Sequence, residues 1–427
     1  MADRPDIGNI SYKPSVNIAQ APKTVGPMLF FVTGWVSLAW EAGLLVALRG
    51  DVARGAWGSP AVIGLVHGFT LGFLTMTMIG VLTQWVPVVF DVPPIPLSRI
   101  YWVWAVYTTG VILFVTGFLW PFPIALALGG ILVATAITVM TVFVGGQLRR
   151  SKRPGDSMRG ALAVSLASLN LAWILGLGMA LAWVGWWPWP HFLTWHLVTV
   201  LVGWVGLTLL AVQMKLVPMF AMGKMDRVYP AVPVVLAVLG IGVGWTWPWT
   251  GTVGREWSAI LWGASGLTAV IQVLWVVRTG KSPSRDPVFW GVFVGWLEWL
   301  LAAYWVTDHP VWSVFLMLWG AFTFIAAYQS RILPFIVALA IARKLPGPPA
   351  KAFFMAQSLN PRRSLSILAG ASLLGALAIL DGLRYHRAEG FFIAAGVLGM
   401  MLIAHIGQLA LGIRRGRRER RAVVPKA

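Results

Sequence analysis

Cysteine is absent from the 427-residue chain, which excludes disulfides, thiolate-bound metals, iron–sulfur clusters and the covalent attachment of c-type haem. Charge is scarce as well. Only 11% of the residues are charged, and the 14 acidic residues are outnumbered by 33 basic ones. No phosphate-binding loop, dinucleotide fingerprint, nucleophile elbow or zinc motif occurs. What is present is apolar: 58% of the residues are hydrophobic, 26 are tryptophan, and the mean hydropathy is +0.77. Few water-soluble domains approach such values, so the composition predicts an all-α integral membrane protein whose first partner is the lipid bilayer.

A spanning helix needs about 20 mostly apolar residues. Runs of that kind lie near 27–48, 60–89, 99–120, 122–148, 158–186, 191–222, 228–248, 256–278, 286–307, 310–342, 362–383 and 389–413. Proline- and tryptophan-rich punctuation separates several of them, as at Trp120-Pro121, Trp187 to Pro190 and Trp247 to Trp249. Tryptophans at run ends match an interfacial aromatic belt. With the N-terminus inside, 26 of the 33 Lys and Arg fall on the inner side, five outside and two within spans. That asymmetry predicts about twelve transmembrane helices with both termini cytoplasmic. The expected division is a cytoplasmic segment 1–26, a membrane domain 27–413 and a basic tail 414–427. The polar start of the chain carries no signal-peptide pattern. The net charge of +19 sits between apolar runs and in the terminal arginine cluster, where it reads as topology signal and anionic-lipid contact rather than nucleic-acid binding.

Three of the longest runs align on a proline, at Pro87, Pro218 and Pro334, spaced by 131 and 116 residues. Seven residues before it stand Gly80, Ala211 and Ala327, and three before it stand Gln84, Lys215 and Arg331. Fifteen before it stand Gly72 and Gly203, with Gly320 one place off in the third run. The spacing of four helices each time implies three pseudo-repeated four-helix arcs, each with its motif on its second helix. Twelve-helix transporters usually divide into two halves of six instead.

This three-by-four pattern, together with the strings that follow His67 and His196, resembles the membrane subunit I of heme-copper oxidases and nitric oxide reductases. The resemblance covers the chain topologically, but its residue-level support rests on three helices. It implies a cell-membrane protein of the respiratory type, with b-type haem as cofactor and a respiratory subunit or electron donor as partner. The activity implied is electron transfer or the handling of NO or O2, as an oxidoreductase if it is an enzyme.

In the family the second helix supplies a low-spin haem ligand, and His67 stands at that place. His196 stands where the copper site begins. Val200 replaces the family's tyrosine four residues on, the seventh span has no histidine, and neither has the tenth. A copper centre is therefore not expected. The family's layout also sets His67 and His196 in different pores, so the two are not expected to share an iron. His405 is expected at too different a depth from His67 to pair with it.

Each residue also has a plainer reading. His67 and His196 can be hydrogen-bonded structural histidines, and His191, His309 and His386 solvated residues of outer connections. Gly64, Gly68 and Gly72 form a small-residue stripe that admits either a neighbouring helix or a flat porphyrin. Glu41, Asn170, Lys215, Glu298 and Arg331 are costly in lipid, about 2.5–3.5 kcal/mol for a central charge, and should face the interior. Glu41, Lys215, Glu298 and Arg331 are candidates for a proton or ion path, or for internal pairing and snorkelling. The rival functions are accordingly a proton- or ion-coupled transporter and a haem-free scaffold subunit of a respiratory complex.

Overall fold

A backbone in hydrocarbon must satisfy its hydrogen bonds within each segment, which an apolar helix does. The computed structural model describes residues 18–152, 157–186, 188, 191–225, 229–281, 287–342 and 362–423. The connection 343–361 and the side chains of the arginine run beyond Arg414 lie outside these residues. Among the described residues, twelve helices follow a short 3-10 turn at Ile18–Gln20. They are α1 (Val25–Ala53), α2 (Pro60–Phe90), α3 (Leu97–Leu119), α4 (Pro123–Arg150), α5 (Ser157–Trp183), α6 (Leu193–Ala221), α7 (Ala231–Trp245), α8 (Trp247–Thr279), α9 (Pro287–Trp305), α10 (Pro310–Ala342), α11 (Arg362–Tyr385) and α12 (Ala388–Val423). No strand occurs among the described residues. Eleven of the helices are long and apolar enough to cross a membrane, and α7 is a shorter apolar helix. The molecule is thus a multi-pass membrane protein.

The run near 228–248 is shorter than expected and the next one longer. Pro248 occupies the first turn of α8, where its missing N–H costs nothing, so the Trp247 to Trp249 punctuation begins a helix instead of forming a loop. Gly251, at φ 59° and ψ −129°, then bends α8 inside this extension. A residue with a side chain rarely takes that conformation, whereas glycine does so freely.

The helices do not share the interior equally. α2, α6 and α10 are the most enclosed, and they meet one another. Trp204 Nε1 on α6 donates to Thr75 Oγ1 on α2 at 3.1 Å, and Phe73 on α2 packs against Phe322 on α10 at 5.8 Å. α9 joins them through Trp296 Nε1, which donates to Gln213 Oε1 on α6 at 2.7 Å. Small residues bring the outer helices close. Gly110 and Gly117 on α3 and Gly129 on α4 let the two backbones of that hairpin touch.

α2 and α6 also share a local construction. Each interrupts its α-helix with a π-helical segment, Gly68–Thr75 and Thr199–Gly206, starting nineteen residues before its proline. Each ends four residues after the proline on a left-handed residue, Asp91 or Met222, which closes the helix. Within the π segments, Gly72 faces Ser37 on α1 and Gly203 faces Ser168 on α5. A Cβ at position 72 would stand 2.1 Å from Ser37 Oγ. Gly72→Ala is therefore expected to lower stability by about 1–3 kcal/mol, the usual cost of overpacking. Adding Ser37→Gly should recover most of the loss, as measured by thermal unfolding in detergent; a double variant no more stable than Gly72→Ala would refute the contact.

Candidate functional site

The N-terminal part of α2 is capped by Ser59, whose side chain accepts the Val62 N–H at 3.3 Å, with Pro60 in the first turn. Two turns on, His67 precedes the first π segment, and His196 precedes the second by three residues. π-bulges inside α-helices occur often at functional sites. The structure brings the two histidines together. Their ring centroids lie 6.4 Å apart, with 28° between the planes. This corrects the expectation that they belong to separate pores: the division was carried over from the resembled family, whereas here α5 and α6 pack closely enough to carry His196 to α2.

Both rings are held by the same kind of bond. His67 Nδ1 lies 2.9 Å from Ile63 O, and His196 Nδ1 lies 3.0 Å from Ala172 O on α5. A carbonyl only accepts, so each Nδ1 carries the proton and each Nε2 keeps its lone pair. This is the tautomer and orientation of a metal-ligating histidine whose second nitrogen is fixed by a backbone carbonyl.

The surroundings are apolar. Phe118 on α3 stacks on His67 at 5.7 Å and 19°, and Phe114 meets it edge-on at 5.4 Å. Trp183 on α5 closes against Phe118 at 5.9 Å. With Leu126 and Ala180, these phenylalanines form a small cluster separate from the main core. Gly176 lies against His196, where a Cβ would be 2.9 Å from Cε1. Both histidines are half-buried.

The donor set discriminates between kinds of metal. Two imidazoles bound through Nε2 on opposite sides of one metal hold their centroids roughly 6 Å apart, given metal–nitrogen bonds of about 2.0–2.1 Å. The observed 6.4 Å matches. Among the described residues no group of three or more His, Asp or Glu could hold a bare ion. Haem iron brings four equatorial nitrogens of its own and asks the protein only for axial ligands. Two tautomer-fixed histidines in apolar surroundings are of the kind that could serve it.

The other candidates lie elsewhere. His405 on α12 is buried, with Nδ1 2.8 Å from Met401 O and Nε2 3.0 Å from Ala326 O on α10. Each nitrogen faces a carbonyl, of which a neutral ring donates to one, and the ring is turned to α10. Of the small-residue stripe on α2, Gly64 lies against Phe118 and Leu119 on α3, while Gly68 and Gly72 face α1. These are helix contacts. Glu41 is buried beside Gly68, where a Cβ would collide with its Oε1, and neither of its oxygens has a hydrogen-bond partner.

Asn170 bridges locally, donating to Leu166 O at 2.8 Å and accepting from Trp173 Nε1 at 3.1 Å. Lys215 is half-buried, and Arg331 lies over the Phe220 ring at 5.8 Å. His309 is not simply solvated: it stacks on Trp312 at 4.1 Å and touches Trp305. His386 Nδ1 lies 2.8 Å from Ala53 O, tying the α11–α12 connection to the end of α1. His191 is exposed.

Glu298 on α9 is fully buried, with Thr323 of α10 and Ser372 of α11 on its carboxyl. Neither hydroxyl stands out in the sequence, because Ser and Thr are ordinary in apolar helices and bond most often to their own backbone. Phe114 and Phe118 were equally silent, being two aromatic residues among many. Their shared face, four residues apart on one helix, is the one signal that could have paired them. No protein-family model matches the chain, and no match is found among curated proteins.

Proposed function

We propose that the chain is a divergent, copper-free relative of heme-copper oxidase subunit I and nitric oxide reductase that holds one b-type haem between His67 and His196 and serves membrane electron transfer. The observation that carries this is the histidine pair, with both Nδ1 atoms anchored and the rings at the spacing of two ligands on one metal. The matching π segments and proline ends of α2 and α6, and the enclosure of α10 beside them, support the reading of three four-helix arcs. Placement in a cell membrane with both termini cytoplasmic follows from the charge asymmetry. The ligand pair departs from the family, in which the tenth helix supplies haem ligands; α10 has no histidine.

The residues then have defined tasks. His67 and His196 fix the axis of the site through their carbonyl-anchored rings. Phe114, Phe118 and Trp183 keep water from one flank, lowering the local polarity on which a redox potential depends. The haem, when bound, supplies one-electron chemistry. If both His67 and His196 held the haem, the protein would leave no position for NO or O2. Electron transfer is therefore favoured over gas handling.

The test is a reduced-minus-oxidised spectrum with a pyridine haemochrome assay on detergent-purified protein produced with ample haem. Wild type should show a low-spin b-type signal, His196→Ala should lose the low-spin form, and His67→Ala with His196→Ala should lose the haem. A folded wild type without haem, or a double variant that keeps its full signal, would overturn the assignment. In the first case, co-purification with oxidase subunits would point to a scaffold role.

A further inference from the structure

The Glu298 site is built from three helices and lies apart from the histidine pair. Its Oε2 accepts from Thr323 Oγ1 at 2.6 Å. Thr323 Oγ1 lies 2.5 Å from Ser372 Oγ, and Ser372 Oγ is 3.4 Å from Oε1. Thr323 Oγ1 also lies 3.0 Å from the Trp319 carbonyl. These four oxygen–oxygen contacts share only two hydroxyl hydrogens, so the cluster is short of protons. Glu298 is 0% exposed, and among the described residues no lysine or arginine forms an ion pair with it. A carboxylate left so would be an uncompensated buried charge, a state proteins avoid by taking up a proton.

The spacing identifies the cation that resolves this. Oxygens around a bound metal cation lie about 2.3–2.6 Å from the ion and hence roughly 3 Å or more from one another. Contacts of 2.5 and 2.6 Å are instead the separation across a shared proton.

A small void lies beside Thr323. With room for about one water, it is lined by Thr323, Ala326, Ala327 and Ser330 of α10 and by Gly291 and Met401. Next to it, Gln408 Nε2 donates to Ser330 O at 2.8 Å and His405 Nε2 meets Ala326 O. Polar groups thus continue along one side of α10 from Thr323 toward its Ala342 end. Of the other titratable groups on the surrounding helices, Arg331 lies over Phe220, His405 faces two backbone carbonyls and Asp381 faces Arg387, whereas Tyr328 packs its ring on Phe324 and its buried hydroxyl has no hydrogen-bond partner among the described residues.

We propose that Glu298, Thr323 and Ser372 form a proton-exchange site, loaded with one proton at rest and reached through the cavity beside Ser330. Nothing in this depends on haem. Infrared difference spectroscopy on the full-length protein in liposomes tests it. At neutral pH, the wild type should show the carbonyl stretch of a protonated carboxyl that Glu298→Gln removes and Glu41→Gln leaves in place. Thr323→Val, which keeps the shape but deletes one hydroxyl, should shift that band without abolishing it. Transfer to D2O should shift it within minutes. A carboxylate instead of a carboxyl signal at Glu298, a band displaced by sodium ions at constant pH, or a band unmoved by D2O after hours would each overturn the proposal. The last would mark a sealed structural acid.

Discussion

Gly129→Ala is expected to be among the most damaging single substitutions in the membrane domain, although it adds one methyl group. An ideal Cβ at this position lies 2.3 Å from the backbone N of Phe114, 2.7 Å from its Cα and 2.8 Å from the Gly110 carbonyl. All three obstacles are backbone, so no rotamer change relieves them and α3 must move away from α4. Overpacking costs about 1–3 kcal/mol, and the upper end applies where a backbone has to yield. The effect should also reach the histidines, because the displaced residue is the one whose ring edge meets His67.

Gly145→Ala on the same helix is the control. Nothing lies within 4 Å of its Cβ position, and the gain of helix propensity is about 0.5–1 kcal/mol. Thermal unfolding in one detergent, with the haem spectrum recorded on the same samples, separates the two. Equal midpoints for both variants would mean that the α3–α4 approach is not as close as described.

The second large effect concerns the proposed haem ligation. If His67 and His196 hold a haem as proposed, His196→Met is expected to retain a low-spin haem and to raise its midpoint potential by on the order of 100 mV, since thioether ligation favours the reduced iron and ligand identity tunes potentials over about 0.8 V. A redox titration followed optically decides the point. A low-spin species with an unchanged potential would show that residue 196 does not touch the iron, even if haem is present.

Much of this molecule could be read from residue order alone, and the failures have physical causes. Apolar runs and basic residues located the spans to within a few residues for most helices, because length and hydropathy are what a bilayer selects. The approach of α7 to α8 was misread because a proline that breaks a helix interior is welcome in its first turn, and Pro248 looks the same in both roles. Glu41 and Glu298 announced themselves as charges in apolar runs. His67 and His196 were each visible as polar residues in the outer part of a long span, but their meeting was not. Contact between α2 and α6 depends on how the α5–α6 pair packs, which no pattern within one helix records. The π segments left no trace either, since a wide turn has no residue signature beyond its tolerance of glycine.

Those two segments carry a mechanical consequence. A π-bulge amounts to one residue inserted into an α-helix, so deleting a single residue between Gly68 and Thr75 should let the helix relax to uniform α geometry. Because the bulge already absorbs that extra residue, the two halves would keep their phase; relaxing the segment to α geometry with the residue retained would instead turn the N-terminal half by about 100° and shift it by about 1.5 Å relative to the half that bears Pro87. Such a helix would still span, still be apolar, and still insert. Its imidazole, however, would have been screwed round to a different neighbour. The bulge works as a shim: a spare residue that sets the rotational phase of one end of a rod while the other end stays clamped.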